Sequence, residues 1–161
     1  MHSTIDRSLS LFSFEIHNFV SLCYAVIMEL KAKGSTSIKA LLVEDIGVCR
    51  LVLSTFLLRL HCEVTLAMNV KEAVDLFLEG KRFDIVLFDK DMPAMTGPEA
   101  IVKIRAMGET DVKIVGLSAD NHAMEAFISA GADLFVPKPI RMEALGPIIQ
   151  DVINKKTNDM G

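Results

Sequence analysis

Residues able to do chemistry stand where short apolar runs stop. Glu44 and Asp45 follow Ala40–Val43, Asp89 follows Ile85–Phe88 with Asp91 two residues on, Ser118 follows Ile114–Leu117, and Lys138 follows Leu134–Val136. Carboxylates gathered in one crevice repel, and each raises the other's pKa unless a cation lies between them. An oxygen-only cluster with few protein ligands suits Mg2+, which keeps waters and accepts a phosphate oxygen. A carboxylate can also attack as a nucleophile and form an acyl phosphate. A lysine and a hydroxyl then supply the positive charge and the donor that three phosphoryl oxygens require. Taken singly, each residue has an ordinary reading: a strand-end aspartate is a cap or turn residue, and a lone lysine is a solvated charge. Complementary chemistry at the ends of four different runs is what favours a site.

The elements that must position these residues are legible as alternating patterns from Lys39 onward. Strand candidates are Ala40–Val43, Val64–Ala67, Ile85–Phe88, Ile114–Leu117 and Leu134–Val136, each nearly all apolar, as suits strands covered on both faces. Helical segments are expected at Val48–Leu60, Val70–Leu78, Pro98–Met107, His122–Ala130 and Met142–Asn154. Leu51, Leu53, Phe56, Leu57 and Leu60 mark an apolar stripe on the first, and Ala73, Val74, Phe77 and Leu78 on the second. Asn69 is placed to cap the second helix, and Gly80, Gly108 and Gly131 fall at or past helix C-termini. The alternation predicts a doubly wound α/β domain with a five-stranded parallel sheet. In strand order 2-1-3-4-5, strands 1 and 3 adjoin, and Asp45 meets Asp89 at the carboxyl edge where such sheets bind ligands.

Composition bounds the alternatives. The chain has 161 residues, 51% hydrophobic and 24% charged, enough for one domain with a full core. Its net charge of −4 argues against a protein that holds nucleic acid by neutralising phosphates. Cys23, Cys49 and Cys62 form no CxxC pair and read as buried apolar residues of a reducing compartment. Mean hydropathy is high at +0.39, so a membrane or targeting segment has to be looked for. Between Leu9 and Leu30, 15 of 22 residues are apolar, but Glu15, His17 and Asn18 leave only Phe19–Met28 as a run of ten, too short to span a bilayer. Three readings of this stretch stay open: a helical or loose extension, a signal-peptide core with few positive charges before it, or an upstream segment with Met28 as the working start.

At this point the residues resemble a family, the receiver domain of two-component response regulators. Phe83-Asp84-Ile85-Val86-Leu87-Phe88-Asp89-Lys90-Asp91-Met92-Pro93, closed by Gly97, is similar to the receiver's phospho-acceptor strand and loop. Val43-Glu44-Asp45 resembles its acidic pair, Leu117-Ser118-Ala119 its switch residue, and Phe135-Val136-Pro137-Lys138-Pro139 its aromatic-x-x-Lys-Pro signature. The resemblance covers about residues 39–155, leaving 1–38 as an N-terminal extension and 156–161 as a tail. It implies the flavodoxin-like receiver fold with Asp89 as the phosphorylated residue. Glu44, Asp45, Asp89 and the main-chain carbonyl of Asp91 would hold Mg2+. Ser118 and Lys138 would contact the phosphoryl oxygens, and Phe135 would change rotamer with Ser118. It also implies a cis Lys138-Pro139 bond, which proline makes inexpensive.

Within the family, Asp89-Lys90-Asp91-Met92-Pro93, Ala119-Asp120-Asn121 and the Phe127–Gly131 stretch look most like plant response regulators of the single-domain type C. That likeness implies a stand-alone receiver in cytokinin signalling that takes its phosphoryl group from a histidine phosphotransfer protein, with a net role as a phosphohistidine phosphatase. The expected state is a monomer in the cytoplasm and nucleus, without nucleic-acid contact or membrane insertion. Departures are the Glu-Asp acidic pair, whose longer Glu44 would reach the metal through water, and Asp91, an extra acid near the attack path. Phe88-Asp89-Lys90-Asp91 also resembles the nucleophile motif of haloacid-dehalogenase-type phosphatases. That class wants Thr or Val where Pro93 stands and its acidic pair after the lysine. A non-phosphorylated docking module of the same fold would have no need of Asp45, Asp89, Ser118 and Lys138 together. A flavin protein of similar topology would put hydroxyls and glycines where Glu44 and Asp45 stand.

Overall fold

Five apolar runs become the strands of one parallel sheet, and the helices between them cover both its faces. The computed structural model describes residues 37–159. In chain order the elements are β1 (Ile38–Val43), α1 (Gly47–Arg59), β2 (Cys62–Ala67), α2 (Val70–Leu78), β3 (Ile85–Asp89), α3 (Gly97–Ala106), β4 (Lys113–Ser118), α4 (Ala123–Ser129), β5 (Leu134–Pro137) and α5 (Met142–Asp159). The sheet order is β2-β1-β3-β4-β5, the expected doubly wound arrangement. Each connection crosses through a helix, as parallel neighbours require.

Side chains alternate across a strand, so each strand feeds two cores. Leu41, Val43, Val86, Phe88 and Ile114 pack under α2, α3 and α4 with Ala73, Phe77, Ala100, Ile101, Ile104 and Phe127. Ile38, Ala40, Leu42, Ile85, Leu87, Val115 and Leu117 pack under α1 and α5 with Leu53, Leu57, Leu145, Ile149 and Val152. β3, at the centre, is buried at every position. Two covered faces explain why its sequence shows no polar alternation.

The helices depart from expectation in informative ways. On α1, Leu53 and Leu57 are buried and Phe56 and Leu60 half-buried, but Leu51 is 67% exposed. Leu51 lies two residues from Leu53, about 200° around a helix that advances ~100° per residue, and so belongs to the opposite face with Val48 and Val52. On α2, Leu78 likewise points outward while Ala73 and Phe77 are buried. Asn69 does cap α2, its side chain accepting from the Glu72 amide. Gly80, Gly108 and Gly131 close the ends of α2, α3 and α4 with positive φ. The last helix, expected to stop near Asn154, runs on to Asp159 and takes in most of the stretch read as a tail. Lys156 holds it down, donating to the Ser37 carbonyl at 3.0 Å and the Asp84 carboxylate at 2.7 Å. Such partners lie far off in sequence and leave no local pattern.

Cys62 is buried, as expected, whereas Cys49 is only half-buried on α1; Cys23 and the open readings of the N-terminal stretch lie outside the described residues. Among the described residues, no helix is long and apolar enough to cross a membrane.

Two measurements check this packing. A Cβ added at Gly116 of β4 would fall 2.3 Å from the Phe127 ring carbon Cγ, and Phe127 is fully buried. Gly116→Ala is expected to lower unfolding free energy by about 1–3 kcal/mol in denaturant titration, and an unchanged midpoint would contradict this packing. Burial, with the nearby Asp84 charge adding, pushes the Cys62 thiol up to about 12. At pH 8 iodoacetamide should leave Cys62 untouched in the native protein and alkylate it on unfolding, because the thiolate is the reactive form.

Candidate functional site

All strands of a parallel sheet end on one edge, and here that edge carries the acids. β1 stops at Val43, and the Glu44 amide still reaches the Ala67 carbonyl of β2 at 3.1 Å, which carries the chain past the sheet in extended form. Glu44 is fully buried. Its Oε1 accepts the Ile46 amide at 3.1 Å and its Oε2 accepts Lys138 Nζ at 2.8 Å. Asp89 is the last residue of β3, 5% exposed, and its Oδ1 lies 2.7 Å from the same Lys138 Nζ. Glu44, Asp45 and Asp89 each bring one carboxylate oxygen to within 4.8 Å of the others.

Electrostatics decides what this arrangement tolerates. Two carboxylates at such a distance repel by about 3 kcal/mol at an effective dielectric of ~20. Lys138 offsets part of that. Burial works against its charge, but hydrogen bonds to Asp89 and Glu44 outweigh burial and hold the ammonium above the ordinary lysine value. One cation among three carboxylates leaves the site anionic. Asp45 Oδ1 is moreover buried without a hydrogen-bond partner among the described residues. Leaving a buried acceptor unpaired costs about 1–3 kcal/mol. A divalent cation with oxygen ligands would supply both the missing partner and the missing charge, so the donor set fits Mg2+.

Ser118 ends β4, almost fully buried, beside the end of β5. The Lys138 amide donates to the Ser118 carbonyl at 2.8 Å, tying the two strand ends together. Ser118 Oγ accepts the Asp120 amide at 3.0 Å, so its hydroxyl hydrogen is the part left to donate. The Lys138-Pro139 peptide is cis. Phe135 lies on β5 in register with Gly116, half-buried, its ring 5.9 Å from that of Phe127. Asp91 stands exposed in the loop after β3, and its carboxylate is not part of the cluster.

The loop after β3 is held by contacts that the residue pattern alone did not mark. Thr96 and Glu99 form a capping box at the start of α3, and the Gly97 amide returns to the Lys90 carbonyl at 3.0 Å. A Cβ on Gly97 would come 2.3 Å from the Asp89 carbonyl oxygen, so only glycine lets the helix start this close to the end of β3. Lys90 pairs with Asp120 at 2.8 Å, joining the loops after β3 and β4. Arg50, in the first turn of α1, donates to the carbonyls of Glu44 and Asp45 at 2.8 and 3.0 Å. The Thr-x-x-Glu spacing was a readable signal; a pair 30 residues apart, as Lys90 and Asp120 are, was not.

Comparison with known proteins is consistent with this geometry. Residues 40–150 match the family described as the response regulator receiver domain. The two-component response regulator ORR42 of rice (Oryza sativa subsp. japonica) is 56% identical over 129 residues, covering 80% of this chain and 96% of the rice protein. The two-component response regulator 24 of Arabidopsis thaliana is 33% identical over 126 residues, covering 77% and 90%. Among solved structures, the receiver domain of the Saccharomyces cerevisiae response regulator Ssk1, crystallised with the histidine phosphotransfer protein Ypd1, superposes with a TM-score of 0.69 at 26% identity, covering 77% of this chain and 94% of that one. The receiver domain of the sensor histidine kinase PA1611 of Pseudomonas aeruginosa, with magnesium coordinated in its active-site cleft, gives 0.65 at 31% identity, covering 74% and 99%. With the sheet order, the acidic edge and a relative matched over nearly its whole length in agreement, the chain belongs to the receiver-domain family of two-component response regulators.

Proposed function

We propose that this receiver accepts a phosphoryl group on Asp89 from a phosphohistidine of a histidine phosphotransfer protein. The observation that carries the reading is Lys138 Nζ bridging Asp89 and Glu44 beside the unpartnered oxygen of Asp45. A carboxylate oxygen of Asp89 forms the new bond to phosphorus as the phosphorus–nitrogen bond of the donor breaks, and the departing imidazole takes up a proton. Lys138 neutralises charge on the phosphoryl oxygens, and Ser118 turns its free hydroxyl hydrogen toward one of them. Asp45, Asp89 and the Asp91 main-chain carbonyl, with Glu44 beside them, would hold Mg2+, which when bound would supply positive charge for the phosphoryl oxygens and the clustered acids.

After transfer, Ser118 and Phe135 shift together, a motion suited to neighbouring strands β4 and β5. Water then attacks phosphorus and breaks the bond to the Asp89 oxygen, which returns the carboxylate and releases inorganic phosphate. Repetition of the two steps drains phosphoryl groups from the donor, a phosphohistidine phosphatase in effect. Asp91, exposed next to this path, bears on how long the aspartyl phosphate lasts. The magnesium of the Pseudomonas receiver and the phosphotransfer partner of the yeast receiver support both halves of the reading. The donor's helical bundle is met by the exposed apolar face of α1 and the loop after β5. There Val48 is 73% and Val52 43% exposed, Cys49 is half-buried, and Pro139 in the loop after β5 is exposed.

Two experiments test this. Incubated with a labelled phosphotransfer donor and Mg2+, the wild-type chain should take up label that Asp89→Asn does not, and donor label should appear as inorganic phosphate. Label persisting on Asp89→Asn would refute the acceptor assignment; label that stays on the wild-type chain without release would refute the phosphatase role. In calorimetric titration, Asp45→Asn should lose Mg2+ affinity by roughly tenfold or more, and an unchanged affinity would remove Asp45 from the metal site.

A further inference from the structure

From the contacts of α1 we infer that Arg50 is a positioning residue, whose guanidinium clamps the β1–α1 loop so that Asp45 keeps its buried oxygen unpartnered for the metal; this rests on the reading of the site given above. Arginine in a crevice with three carboxylates would ordinarily pair with one of them. Arg50 does not: among the described residues it forms no ion pair, and one nitrogen, Nη1, donates to the carbonyls of both Glu44 and Asp45. An Nη carries two hydrogens, one for each carbonyl. Those carbonyls lie beyond the last residue of β1, where the ladder to β3 has ended at Val43.

The loop lacks the usual means of staying in place. Ile46 stands at the N-cap of α1 with no side-chain cap bond, and the first turn of the helix has no acidic residue. Two ties replace the cap. The Glu44 carboxylate accepts the Ile46 amide at 3.1 Å, and Arg50 donates to the two carbonyls. Asp45 is thereby fixed through its main chain, and Glu44 through both its main chain and its carboxylate. A carboxylate held in place by its backbone can remain unpartnered, as Asp45 Oδ1 is, because the loop cannot turn it out to water.

Charge and positioning predict opposite results when Arg50 is removed. A guanidinium beside a divalent-cation site repels the cation, so its loss as a mere charge would tighten binding. Its loss as a clamp would loosen binding. Arg50→Met, which keeps length without charge, is expected to weaken Mg2+ binding about tenfold in calorimetry, the size typical of a residue that orients a metal ligand. Arg50→Lys, which keeps charge but not the planar fork, is expected to weaken it as well. In the metal-free protein, both variants should speed hydrogen exchange at the Ile46 amide about tenfold while the β3 amides stay protected. Mg2+ affinity that is unchanged or tighter in Arg50→Met, or Ile46 exchange that does not move in the folded Arg50→Lys protein, overturns the assignment. If the wild-type chain binds no Mg2+, the metal reading falls, and the exchange comparison still decides whether Arg50 clamps the loop.

Discussion

Mutual repulsion of carboxylates crowded at one end of a sheet is the constraint on which the rest of this molecule depends. A parallel sheet delivers every strand's end to the same edge, and three of the side chains delivered are acids whose oxygens lie within 4.8 Å of one another. Lys138, arriving from β5, answers two of them directly. The third, Asp45, has an oxygen left without a partner among the described residues. A fold that holds such a cluster together has to be rigid where the acids attach, because any slack would let them move apart into water.

That rigidity comes from backbone contacts more than from side-chain pairing. The start of α3 is pressed against the end of β3 through Gly97 and closed by the Thr96–Glu99 capping box. The β1–α1 loop is tied by both Glu44 and Arg50. Behind the edge, two separate cores on the two faces of the sheet keep the strands in register, and β3, which carries Asp89, is buried along its whole length. The exposed pair Lys90–Asp120 adds a link between loops, though a pair this open to solvent is screened and contributes little to stability.

Much of this was legible in the chain itself. The apolar runs and their polar ends predicted the strands and, for the order 2-1-3-4-5, the meeting of Asp45 with Asp89, because a strand buried on both faces has to be apolar and a parallel sheet has to end on one edge. Asn69 as a cap and the glycines past three helix ends followed from local rules that need no tertiary context. Less legible was which apolar residues face inward. Leu51 and Leu78 fit an apolar stripe by type, yet both are exposed, because hydrophobicity alone does not distinguish a core position from a surface patch. The length of α5 was missed for a related reason: its end is anchored by Lys156 to Ser37 and Asp84, partners that no window around Asn154 contains.

By itself, then, the sequence determined the α/β class with its parallel sheet and the identity of the acids and the lysine that line the edge, since these depend on residue type and period; the order β2-β1-β3-β4-β5 belongs to the tertiary structure. Tertiary structure decided how those groups divide their work. Glu44, longer by one methylene than the aspartate the family usually places there, is buried with its carboxylate on Lys138 and the Ile46 amide. Asp45 alone, among the described residues, keeps a buried oxygen without a hydrogen-bond partner. Arg50, read only as part of a helix, spans the carbonyls of both acids. Hydrogen-bond partners depend on direction and distance across residues that are remote in the chain, and neither is written in the spacing of residue types.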